Sequence, residues 1–134
     1  MNKRISEWNG YAVYGDTREL DDIVGTYGLI NLDKEDIITV LSAEGENYLT
    51  ASVNVDLGEA FNQALIGLPC KLDNVNRLLI DFRYGNQQLK MSELSSITAT
   101  LSEDNPDIEV IWGMSSDETL MDSYKVTLLA SVKA

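Results

Sequence analysis

Asn31, Asp33 and Asp36 are the residues of this 134-residue chain whose types and spacing could do chemistry. Carboxylates held close together can orient a water molecule for attack on a phosphoryl group, and a neighbouring amide can help fix its position. The same residues have a second, purely structural reading. Asp33 stands where a helix N-cap is expected, Asp36 follows three residues on, and Ile37, Ile38, Val40 and Leu41 supply the apolar stripe of a helix reaching to about Glu44. Together with Glu35, these carboxylates would crowd the first helical turn, where the positive end of the helix dipole favours them. Spacing alone leaves both readings open.

The elements that must position this stretch follow from periodicity. Tyr11 to Tyr14 suits a short strand, and Thr17 to Tyr27 a helix with Leu20, Ile23, Val24 and Tyr27 on one face. Beyond the acidic stretch, Tyr48 to Val55 alternates as a half-buried strand. Asp56, with Glu59 at the capping-box position, opens a helix striped by Ala60, Phe61, Ala64 and Leu68 and ended by Gly67 and Pro69. The apolar run Leu78 to Phe82 predicts a central strand, and Ser92 opens a helix that Asn105-Pro106 stops. Ile108 to Met114 and Tyr124 to Val132 read as two more strands. The acidic loop between them, Ser115 to Ser123, is too short for a helical crossover, so they are expected to pair as antiparallel neighbours. At their spacings, Tyr11, Tyr14, Tyr48 and Trp112 suit strand packing better than an aromatic ligand site.

Composition narrows the function classes. Twenty-two acidic against ten basic residues give a net charge of −12, which opposes contact with nucleic acid or with anionic membranes. No apolar stretch has the length of a membrane span, and no apolar run follows the basic start as in a secretory signal, so membrane insertion is not expected and a soluble, cytoplasmic protein is. Without histidine, and with Cys70 as the lone cysteine, the chain offers no internal disulfide, no zinc site and no histidine-based triad. Cys70 is expected as a small, buried apolar residue.

The run Gly28-Leu29-Ile30-Asn31-Leu32-Asp33, continued by Asp36-Ile37 and Val40-Leu41, resembles the loop and helix that open the C-terminal domain of the bacterial cell-division GTPase FtsZ, a tubulin relative. Further matches keep the same order: Val75 to Phe82, Ile108 to Ser116, and Asp122 to Ala130 with its Val126-Thr127 and Ala130. The likeness extends from roughly Asp22 to Ala130. It departs at Tyr27-Gly28, where the family often has Pro-Gly, and at Lys34-Glu35, where the family's pair is usually apolar or small.

The resemblance implies an α+β fold. Together with the strand pattern, it predicts a two-layer sandwich: a four-stranded mixed sheet with helices mainly on one face. Residues 1–27 would be an N-terminal extension and lead-in helix, and residues 28–134 the FtsZ C-terminal-like domain. It further implies that Asn31, Asp33 and Asp36 reach the nucleotide of a neighbouring subunit, as candidate catalytic residues in trans only. The glycines are scattered, with no phosphate-cradling run, so the isolated chain is expected to be no enzyme on its own and to meet GTP and magnesium only through a partner subunit. The expected partner is an FtsZ-like GTPase subunit or a second copy of the chain. The alternatives are a non-catalytic structural or oligomerisation domain and a fragment of a longer two-domain GTPase.

Overall fold

The structure, a computed structural model, describes residues 5–25, 30–43 and 45–133. Strands β1 (Ile5–Trp8) and β2 (Tyr11–Tyr14) form a hairpin through Asn9 and Gly10, both at positive φ, and lead into helix α1 (Arg18–Gly25). Helix α2 (Lys34–Leu41) is followed by β3 (Glu46–Asn54), α3 (Leu57–Gly67) and β4 (Val75–Tyr84), then by α4 (Met91–Asp104), β5 (Glu109–Ser116) and β6 (Tyr124–Val132). The strands make one sheet in the order β1-β2-β3-β6-β4-β5. β6 runs antiparallel to both β3 and β4, and β5 lies parallel to β4. β2 meets β3 in parallel where Tyr14 pairs with Tyr48. The rings of that pair stack at 5.0 Å, so the strand tyrosines are packing groups. The Tyr48 hydroxyl also bonds the Glu46 carboxylate, which, with burial, pushes the phenol up to about 12.

The sheet is apolar on both sides. Leu78, Ile80 and Phe82 of β4 and Val126, Leu128 and Ala130 of β6 pack against α3 and α4. Leu79 and Leu129, of opposite parity, are buried with Leu20 and Ile23 of α1 and Ile37 and Val40 of α2. A strand with apolar residues at both parities needs cover on both faces. The two-layer expectation, with helices mainly on one face, is therefore corrected: the fold has three layers, with α1 and α2 on one side and α3 and α4 on the other. The sheet has six strands, not four. The two extra positions belong to the hairpin: β2 is the short strand expected at Tyr11 to Tyr14, and β1 has only four residues, too few to carry a clear period. β5 and β6 are not neighbours either. β6 inserts between β3 and β4, and the 117–123 loop needs to reach only two strand spacings, about 10 Å, to pass β4.

Asp56 caps α3 by accepting from Glu59 N at 3.0 Å. α4 starts at Met91, one residue before the predicted Ser92, and its end is fixed by buried Asn105, whose amide donates to Leu72 O and Val75 O, both at 3.0 Å. Cys70 is half-buried beside the α3–α4 core. The predicted helix ends at Tyr27 and Glu44, the 27/28 boundary, and Gly28 and Leu29 of the acidic stretch lie outside the described residues.

Candidate functional site

The acidic stretch is tied to the open edge of β5. Ile30 N donates to Met114 O at 3.1 Å and Met114 N donates to Ile30 O at 2.9 Å, a single antiparallel bridge. Leu32 is buried over Gly113, where a Cβ would lie 2.5 Å from Leu32 Cγ and 2.8 Å from Ile30 O. Only a glycine lets the chain cross so close. Asn31 and Asp33, flanking Leu32, are exposed.

Asp33 then caps α2. Its Oδ1 accepts from Asp36 N at 3.0 Å, and Asp36 Oδ2 accepts from Asp33 N at 2.9 Å, a reciprocal capping box. Each carboxylate commits one oxygen to this exchange. The second oxygen of each accepts no hydrogen bond from a described residue. Capping and projection toward a ligand are therefore compatible in one geometry. The structure brings Asp33 and Asp36 together and leaves exposed Asn31 two residues ahead, on the segment that follows the β5 bridge.

α1, which leads toward this stretch, is pinned by charges that the sequence reading passed over. Arg83 of β4 is 4% exposed and Asp81 5%, on the α1 side of the sheet. Arg83 Nε donates to Asp81 Oδ2 at 2.8 Å, while Nη1 and Nη2 reach Asp22 Oδ2 at 2.5 Å and the Asp22 carbonyl at 3.3 Å. Beside it, Lys125 Nζ meets Glu19 Oε2 at 2.7 Å. Burial holds the Asp81 carboxyl above the usual carboxylate range, although the Arg83 guanidinium pulls it down. Only the local half of this carried a signal: two charges at i and i+2 within an apolar strand must share one face, whereas the partner on α1 is distant in the chain.

No protein-family model matches the chain. Among solved structures, it superposes on an FtsZ dimer subunit from M. jannaschii with a TM-score of 0.68 at 27% identity, covering 84% of this chain and 34% of that one. CetZ from Methanosaeta thermophila gives 0.70 at 17% identity, over 87% of this chain and 35% of that one. TubZ from Bacillus thuringiensis serovar israelensis, in its GDP-form protofilaments, gives 0.63 at 16% identity, over 87% and 34%. The fold is of the tubulin/FtsZ type. The chain corresponds to a single C-terminal-like domain and spans about a third of the length of the chains it matches. At such low identity, the CetZ and TubZ likenesses speak for the fold.

Among the described residues, no three Asp, Glu, Cys or His side chains are grouped to hold a metal. The two loop carboxylates that come together are each half committed to main-chain amides. None of the described helices is long and apolar enough to cross a membrane.

The capping box makes one separation of roles measurable. Asparagine caps about as well as aspartate, whereas alanine at an N-cap costs about 1 kcal/mol. Asp33→Asn should therefore leave the urea midpoint almost unchanged while Asp33→Ala lowers it. Equal losses in the two variants would mean that the charge, not the cap, carries the stability.

Proposed function

We propose that this FtsZ-type domain is a filament-related, cell-division or cytoskeletal component that presents Asn31, Asp33 and Asp36 to the nucleotide face of a GTPase subunit of its own family. The observation that carries this reading is the tether of the stretch to the β5 edge, with Asn31 and Asp33 exposed and a carboxylate oxygen of both Asp33 and Asp36 left over after capping. In that arrangement the loop carboxylates would orient the attacking water, while the partner holds GTP and magnesium. The receiving subunit is an FtsZ-like GTPase or another copy of a longer chain that contains this domain. The latter draws on the one-third coverage of its structural relatives.

A second reading, a structural or oligomerisation domain that kept the fold without the chemistry, is favoured by the capping box itself, which gives Asp33 and Asp36 a sufficient structural role.

GTP turnover and filament sedimentation of an FtsZ, measured with and without the domain, separate these readings. Completion of the site in trans predicts faster turnover that Asp33→Asn abolishes without loss of fold. Shortened filaments with either form would indicate capping of filament ends instead. An FtsZ indifferent to the domain in both assays would leave the structural reading.

A further inference from the structure

The β1–β2 hairpin stands beside the acidic loop rather than apart from it. A cleft of about 550 Å³ lies between the hairpin tip, the end of α1 and the start of α2, and is lined by Glu7, Trp8 and Asn9 of the hairpin, Asp21 and Val24 of α1 and Lys34 of α2. Lys34 directly follows Asp33, so this lining is continuous with the capping box. Trp8 is half-buried, and its Nε1 donates to Asp21 Oδ1 at 2.9 Å, which fixes the indole against α1. Glu7 is exposed and makes no ion pair among the described residues.

The lining thus sets an indole and two carboxylates against one ammonium. An indole flanked by carboxylates is suited to a cation, and to a guanidinium above all, because its flat, weakly hydrated face stacks on the ring while its edge donates to carboxylates. The chain's net charge of −12 adds long-range attraction for a basic surface.

We propose that the hairpin and the acidic loop form one contact face, and that the cleft receives an arginine side chain from the subunit that receives the loop. This rests on the function proposed above and adds to it the chemistry of the partner: a basic residue next to its nucleotide face. The loop would supply the reacting groups. The cleft would supply affinity and register.

The test uses the full chain carrying Trp112→Phe, so that Trp8 is the only tryptophan, and a tryptophan-free FtsZ with bound GTP as the probe. Mixing should shift or quench the Trp8 emission, and the change should weaken as salt is raised. Glu7→Lys, at an exposed strand position, should raise the Kd about tenfold or more while leaving turnover at saturation intact, as expected for a charge that steers and holds rather than reacts. Binding with Trp8 emission unchanged, or with a Kd indifferent to Glu7→Lys, overturns the cleft proposal and leaves the loop reading standing. Failure of the unsubstituted domain to bind at all overturns both.

Discussion

Replacing Arg83 with leucine is expected to cost about 3–5 kcal/mol of folding stability, the usual range when one partner of a buried ion pair is removed. The loss falls mainly on Asp81. Asp22 is half exposed and can turn to water, whereas Asp81 is sealed under α1 and would keep its charge without its nearest counter-ion. The effect should depend on pH in a definite direction. Asp81 already has a folded-state pKa raised by burial, and loss of the guanidinium raises it further. A carboxyl with a raised folded-state pKa contributes stability below its unfolded pKa and loses that contribution as pH rises through the folded value. Urea unfolding of Arg83→Leu should therefore show a larger deficit near pH 7 than near pH 4. Adding Asp81→Asn should recover much of it, because no buried charge is then left alone. A deficit below about 1 kcal/mol, or one that is flat with pH, would be incompatible with a buried pair of this kind.

Gly113→Val should act on the loop. The valine methyls would occupy the space already filled by Leu32 Cγ and Ile30 O, which lie 2.5 and 2.8 Å from even a bare Cβ. Neither can yield freely: Leu32 is buried and Ile30 is hydrogen-bonded on both sides of its peptide to Met114. Overpacking of this sort costs about 1–3 kcal/mol. The cheaper relaxation is for the stretch to leave the β5 edge. Amide exchange at Met114, whose N–H is held by Ile30 O, should accelerate strongly, while amides of β6 keep their protection. Any stimulation of a partner GTPase should fall with it. Unchanged protection at Met114 would show that the loop is not seated as described.

How much of this could be read beforehand depended on whether a residue's role is local. The cap at Asp33, the strands from β3 onward and helices α2 to α4 follow from patterns only a few residues long, and they stand within a few residues of their expected places. The layering did not follow as easily. Leu79 and Leu129 lie opposite in parity to the main stripe, and that one fact demands a second helical layer, but in an apolar run such as Leu78 to Phe82 it is masked by neighbours of the same type. Pairing of β6 between β3 and β4 is a choice among distant partners, and the short acidic loop pointed to the wrong one. For the candidate site, the residue types and their N-cap position were legible. The Gly113 crossing and the Arg83 pin were not, since each joins segments far apart in the chain: Gly113 with Ile30 and Leu32, Arg83 with Asp22.

The place of β6 in the sheet bears on how the protein is made. Until Tyr124–Val132 has left the ribosome, β3 and β4 have no strand between them, and the nascent chain holds two partial sheets, each with a bare apolar flank. Most of the core can close only once synthesis of this strand is finished, because it supplies Val126, Leu128 and Ala130 to one apolar cluster of the finished domain and Leu129 to the other. Such dependence on sequence-distant contacts makes folding slow and late, and it leaves a window in which a chaperone or a neighbouring nascent chain can occupy the gap that β6 is to fill.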